Sequence, residues 1–159
     1  MKRLHRNAPL FFVLALGLGA GFLVASDAAD PLDPSDFSDP RALAPRLMEL
    51  YEEIALTPEQ EAIKKEALEA IPAACCADNS AYTCCCPCNL SRTVWGLSAW
   101  LITERGADAA TVRSEVERWY DAVNPGEFPG DSCYTGGCGK PFAEGGCGGM
   151  RPGQLVWGS

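Results

Sequence analysis

Histidine is nearly absent from this chain of 159 residues, which contains only His5. That residue lies within the first 26 residues, which have the features of a targeting segment, so a processed protein would contain none. A chain without histidine cannot build a Ser-His-Asp triad, a Cys-His nucleophile pair or a zinc site with histidine ligands. The C-x-x-C-H sequence that attaches c-type haem is also absent, so we expect no haem.

Basic residues are scarce as well. The chain has 13 lysines and arginines against 21 acidic residues, which gives a formal net charge of −8. Three of the basic residues, Lys2, Arg3 and Arg6, belong to the first 26 residues, and without them the formal charge is −11. Because so acidic a chain repels polyphosphates, we expect neither nucleic acid nor a nucleotide cofactor.

The N-terminal segment has the order typical of a secretory signal. A basic start, MKRLHR, precedes an apolar run over residues 8–25 and a group of small residues. The pattern predicts either a signal peptide over residues 1–26, cleaved after Ser26 or Ala28, or an N-terminal membrane anchor. In both cases we expect the rest of the chain to be exported to a periplasm, cell envelope or extracellular space, where disulfides are permitted. A membrane would then be contacted only through this segment, if it is uncleaved.

Three further regions follow the N-terminal segment. Residues 27–39 are rich in Asp and Pro and predict an extended linker. Residues 40–125 carry apolar residues at helical spacing, and residues 126–159 form a tail rich in Gly and Cys. We therefore predict an all-α fold: a small four-helix bundle with a cysteine-rich loop between helices 2 and 3. The irregular tail should pack near that loop.

Local signals define where the four helices begin and end. The periodicity predicts helices over residues 41–55, 58–70 and 90–105, and a fourth that ends near Val123. Thr57, followed by Pro58 and Gln60, is a strong start for the second helix. Gly106 should end the third helix and Asp108 should cap the fourth.

Cysteine is the residue type from which the function must be inferred. Nine cysteines are present, an odd number, and six of them lie within residues 75–88. The tail contributes Cys133, Cys138 and Cys147, as additional ligands or as partners in structural disulfides. Adjacent cysteines rarely pair with each other, so the segment suits thiol exchange or clustered metal better than a fixed disulfide framework. Three hypotheses remain open.

The first hypothesis is a binding protein for a soft metal ion. Four thiolates in a tetrahedron suit zinc, and two or three suit copper(I). The chain would then bind the metal ion, or the thiols of a partner protein, and it would not be an enzyme. The candidate ligands are Cys75, Cys76, Cys84, Cys85, Cys86 and Cys88.

The second hypothesis is a thiol–disulfide oxidoreductase. Cys85 and Cys88 form a C-x-x-C pair just before a predicted helix, whose N-terminus favours the reactive thiolate. These two residues would be catalytic, and the substrate would be a thiol of a partner protein. The third hypothesis is a structural or interaction module cross-linked by disulfides, in which at least one of the nine thiols stays unpaired.

The order of these features resembles the exported bacterial PCYCGC-motif proteins. The matching features are Ile71-Pro72 before Cys75-Cys76, the C-x-x-C pair before the third helix, and Gly106 before a charged helix. The match covers roughly residues 47–121, and it implies a metal- or thiol-handling role in the cell envelope. A more distant likeness, to the cytochrome c maturation thiol reductases, would make Cys85 and Cys88 the exchanging pair.

Overall fold

The computed structural model describes residues 33–158. These described residues contain four α-helices: α1 (Pro40–Glu53), α2 (Pro58–Glu69), α3 (Asn89–Glu104) and α4 (Ala109–Val123). Two short strands, β1 (Pro72–Ala73) and β2 (Cys76–Ser80), lie between α2 and α3. The tail contains two 3-10 turns, Gly137–Gly139 and Phe142–Glu144. The predicted signal or anchor and the first part of the linker lie outside the described residues. Among residues 33–158, no helix combines the length and apolar character needed to span a bilayer.

The four predicted helices and their local signals are confirmed. Thr57 accepts a hydrogen bond from the Gln60 backbone N–H while the Gln60 side chain accepts one from the Thr57 N–H, so the capping box is complete. Asp108 accepts from the Thr111 backbone N–H at the start of α4. Gly106 has a φ of +62°, a conformation that favours glycine and that ends α3.

Helix α3 is the most buried of the four. Eleven of its 16 residues are buried, because its neighbours cover it on several sides. Its Gly96 lies so close to α1 that a Cβ atom there would overlap the Leu47 carbonyl oxygen. On the α4 side, the buried Trp119 indole donates to the Thr93 hydroxyl over 2.9 Å. This tight packing fixes the N-terminus of α3, where Cys88 lies.

Residues 72–80 form a hairpin in the segment where a cysteine-rich loop was predicted, and residues 81–88 have no regular secondary structure. Strands β1 and β2 are antiparallel, with Pro72 opposite Ser80 and Ala73 opposite Cys76. The Trp95 indole of α3 donates to the Ala81 carbonyl over 2.9 Å and ties the end of the hairpin to the helix. Because the hairpin turns between Ala73 and Cys76, it places two adjacent cysteines at its tip.

The tail packs against the helical domain along much of its length. Phe142 is fully buried, and its ring meets Trp157 edge-on with the centroids 5.3 Å apart. The Phe142 and Ala143 backbone N–H groups donate to the Val156 and Trp157 carbonyls. The tail is therefore a folded part of the cysteine-bearing domain, although its only regular elements are the two 3-10 turns.

The last residues of the predicted linker also pack on the domain. The Phe37 ring meets Trp119 edge-on at a centroid distance of 5.5 Å, and Asp39 accepts a hydrogen bond from the Ala42 N–H at the start of α1. These contacts fix the chain where it enters the first helix.

Candidate metal centre

All nine cysteines are free thiols, and four different regions of the chain bring them together. The hairpin supplies Cys75 and Cys76, the segment before α3 supplies Cys84 to Cys86, and Cys88 occupies the position just before the first residue of α3. The tail supplies the remaining three, Cys133, Cys138 and Cys147. The cluster therefore depends on contacts between segments that are far apart in the sequence.

Four of these thiols form what we call the inner group: Cys75, Cys84, Cys88 and Cys147. The Sγ atoms of Cys75, Cys88 and Cys147 all lie within 4.8 Å of one another, and all three residues are buried. Cys84, which is partly exposed, has its Sγ 3.8 Å from that of Cys75. The inner group thus offers three buried sulfurs close together, with a fourth, that of Cys84, next to Cys75.

The other five thiols form the outer group: Cys76, Cys85, Cys86, Cys133 and Cys138. They make two sets whose sulfurs lie within 4.8 Å of one another, Cys76–Cys85–Cys133 and Cys86–Cys133–Cys138. Cys133 belongs to both sets, and its Sγ is also 3.8 Å from that of Cys75. Cys85 is exposed, and only Cys76 is buried. The outer group therefore reaches the surface and adjoins the inner group through Cys133.

The sulfur–sulfur distances match those between ligands of a single ion. Zinc–thiolate bonds of about 2.3 Å in a tetrahedron put neighbouring sulfurs about 3.8 Å apart. Pairs in both groups have this spacing: 3.8 Å for Cys75–Cys84 and 3.9 Å for Cys85–Cys133. A small contraction or rotation of the side chains would let the sulfurs contact a soft cation.

The tail carbonyls cap α3 and so hold Cys147 against Cys88. The first backbone N–H groups of a helix lack partners within the helix. In α3, the Asn89 N–H donates to the Gly149 carbonyl over 2.9 Å and the Leu90 N–H donates to the Cys147 carbonyl over 3.1 Å. The buried Asn89 side-chain amide donates to the Gly148 carbonyl over 2.8 Å. Helix capping and assembly of the inner group thus use the same contacts.

A second set of backbone hydrogen bonds holds Cys133 against the hairpin. The Cys133 N–H donates to the Cys75 carbonyl over 2.9 Å, and the Ala77 N–H donates to the Gly130 carbonyl over 2.7 Å. These bonds extend the hairpin sideways onto the tail. They explain why a cysteine 58 residues away in the sequence lies beside Cys75.

Within the inner group the pKa of one thiol is lowered and those of its neighbours are raised. Hydrogen bonds from Cys147, Cys75 and Cys84 hold the pKa of Cys88 far below its usual range, and Ser91, whose hydroxyl lies 3.4 Å away, adds to this effect. Hydrogen bonding, chiefly with Cys147, raises the pKa of Cys75, and hydrogen bonding with Cys75 raises that of Cys84. A cation bound here would have to displace the protons of the other thiols.

A polar cluster surrounds Cys76 in the outer group. The Asn79 amide donates to the Cys76 Sγ over 3.1 Å and is the main reason why the pKa of this thiol is lowered. The exposed Tyr134 has its hydroxyl 3.7 Å from the same sulfur and donates to the Asp78 carboxylate over 3.0 Å. Burial raises the pKa of the neighbouring Cys133 to about 12.

The predicted C-x-x-C pair is divided between the two groups. Cys85 is exposed and contacts Cys86 and Cys133, whereas Cys88 is fully buried and contacts Cys75 and Cys147. The pKa of Cys85 is raised, mainly by hydrogen bonding with Cys86, while that of Cys88 is lowered. An exchange enzyme needs an accessible thiolate. Here the accessible thiol has the raised pKa, and the thiol with the lowered pKa is buried.

Several polar residues of the site did not follow from the sequence. Asn89, Ser91, Asn79 and Tyr134 support the cysteines through the contacts described above. Asn89 and Ser91 could have been suspected, because they are polar residues at the start of a helix that immediately follows Cys88. No local signal indicated Asn79 or Tyr134.

Comparisons with known proteins leave the site to be interpreted from its own geometry. The chain matches no protein-family model, no curated protein and no solved structure.

Proposed function

We propose that this is an exported protein that binds a soft metal ion, copper(I) or zinc, through clustered cysteine thiolates. The observation that carries the proposal is the convergence of all nine cysteines, from four chain regions, into two adjoining groups with their sulfurs at ligand spacing. The N-terminal sequence supports an exported location, and the resemblance to the PCYCGC-motif proteins supports an envelope role.

Burial and charge both favour a cation in the inner group. The buried thiols interact chiefly with other thiols, so only one of them is readily ionised. Additional thiolates in the same buried volume would repel one another strongly, because the effective dielectric constant is low there. A bound cation would supply the missing positive charge and allow the other sulfurs to ionise.

Thiol–disulfide exchange is the second candidate function. The exposure of Cys85 favours it, because a partner protein could reach this sulfur and a neighbouring thiol, that of Cys86, lies 3.6 Å away. The division of the C-x-x-C pair favours the metal proposal instead. The two functions differ in which cysteines they need: exchange needs Cys85 and a nearby partner, while binding in the inner group needs Cys88 and Cys147.

The experiment is a joint count of bound metal and free thiols. The full chain would be expressed with its own N-terminal segment and purified under anaerobic conditions without reductant or chelator. We expect stoichiometric copper or zinc, with most thiols titrating as free only after the metal is removed. A metal-free protein whose cysteines are locked in slowly reduced disulfides would overturn the proposal. A C85S variant is the control, since it should abolish exchange but leave the metal of the inner group bound.

A further inference from the structure

The nine cysteines differ in burial in a way that one metal site does not require. The inner group includes three sulfur ligands that solvent does not reach, while the outer group presents one exposed and three partly exposed cysteines. Four thiolates saturate one tetrahedral ion. Five more sulfurs at ligand spacing are therefore available for further ions.

We propose that the centre is polynuclear, with a buried inner subsite that retains one ion and a surface subsite where copper(I) ions enter and leave. This inference rests on the proposed function. The outer group is built from two three-sulfur sets that share Cys133, and three sulfurs are a favourable number for copper(I). A shared thiolate can bridge two soft ions, so the sets can be occupied together.

Cys133 also connects the two subsites. Its Sγ lies 3.8 Å from that of Cys75, and Cys75 is in turn 3.8 Å from Cys84. An ion in the outer group therefore has an inner-group sulfur next to its own ligands. Transfer inward exchanges one thiolate for another at the same ion: the Cys75 thiol gives up its proton as it binds, and the released Cys133 thiolate takes one up, with no change in oxidation state.

The opposite ends of this path differ in accessibility. Cys85 is exposed beside Cys133, so a chelator or a partner thiol can reach an ion there. Cys88 and Cys147 are fully buried behind the tail residues that cap α3. An ion bound to them can therefore leave only through the outer group or by opening of the tail. Copper in the two subsites should consequently dissociate at different rates.

The test is copper(I) stoichiometry and removal kinetics on the full chain under anaerobic conditions. The reduced protein is titrated with copper(I), and a chromophoric copper(I) chelator is then added in excess. We expect more than one equivalent to bind, and removal to show a fast phase and a phase at least tenfold slower that accounts for about one equivalent. A single phase, or a stoichiometry of one, would overturn the two-subsite proposal while leaving metal binding intact. No binding of copper(I), and none of zinc in a parallel titration, would overturn the proposed function as well.

Variants assign the two phases to the two groups. The triple variant C85S/C86S/C138S should lose the fast phase and keep the slow equivalent. The variant C88S should lose the slow phase and keep fast copper. If C88S does not fold, as judged by its circular dichroism, C84S removes an inner ligand that is partly exposed and serves instead. The control T135A changes an exposed tail residue between Cys133 and Cys138 and should leave both phases unchanged. Equal loss of both phases in every cysteine variant would contradict the proposal.

Discussion

Replacing Phe142 with alanine tests whether the tail is a folded support of the metal centre. After Trp119, Phe142 is the largest fully buried side chain in the part of the chain that the structure describes. Gly148, next to Cys147, lies so close to the Phe142 ring that a Cβ atom there would overlap it. The Phe142 ring therefore packs against the segment that carries Cys147.

The expected cost of F142A is about 4 kcal/mol, within the usual range of about 3–5 kcal/mol for removing a buried phenylalanine. The edge-on contact with Trp157, whose centroid is 5.3 Å away, accounts for about 1 kcal/mol of this loss. Backbone hydrogen bonds hold residues 142 and 143 to the end of the chain, so the surroundings cannot collapse freely into the cavity.

The assay is urea unfolding of the reduced, metal-free protein together with thiol labelling of Cys147. With an m-value of about 2 kcal/mol/M, a loss of 4 kcal/mol lowers the urea midpoint by about 2 M. If the tail undocks before the helices unfold, the midpoint falls less, but Cys147 becomes rapidly labelled. The matched control is F128A, which removes a partly exposed ring in edge-on contact with Tyr120 and should cost about 1 kcal/mol. An F142A protein with an unchanged midpoint and a slowly labelled Cys147 would refute a tail that supports the centre.

Three further predictions concern the helices that carry the site, and all are measured by reversible unfolding of the metal-free protein. T57A removes half of the capping box of α2 and should cost about 1 kcal/mol, whereas T57S should cost little. G96A should cost about 1–3 kcal/mol despite the higher helix propensity of alanine, because the new methyl group overlaps the Leu47 carbonyl; a stabilised variant would contradict this packing. Hydrogen bonds from the Thr111 backbone and hydroxyl lower the pKa of Asp108, so its contribution to stability is present above the unfolded-state pKa of about 3.9 and is lost as pH falls through the lower folded-state pKa. D108N keeps the cap without titrating and should make the stability less steeply dependent on pH in that window. If the stability of D108N falls as steeply with decreasing pH as that of the unmodified protein, this role of Asp108 is contradicted.

Local chemistry explains why the helices were predictable. Thr57 and Asp108 act on backbone groups three residues away, and Gly106 ends its helix through its own φ angle. The hairpin was not predicted, because β2, with the sequence CADNS, lacks the alternating apolar residues that mark a strand. Its Ala77 N–H instead bonds to Gly130 in the distant tail, which is a contact that no local pattern contains.

The same distinction applies to the cysteines. Their number and the 75–88 concentration indicated a thiol site, and the structure brings all six of those residues into the centre together with the three from the tail. Which sulfur neighbours which could not be predicted, since it depends on how tail carbonyls cap α3 and how Cys133 pairs with Cys75. Cys85 and Cys88, the two cysteines of the C-x-x-C motif, are separated because Cys88 is buried at the start of the helix.

The atoms that bind the metal can be identified directly. X-ray absorption at the metal edge, measured on the full chain loaded anaerobically with copper(I) or zinc, reports that ligand shell. We predict sulfur ligands alone, three or four per ion, with zinc–sulfur distances of about 2.3 Å. A shell that contains nitrogen or oxygen would contradict a centre built from the converging thiolates.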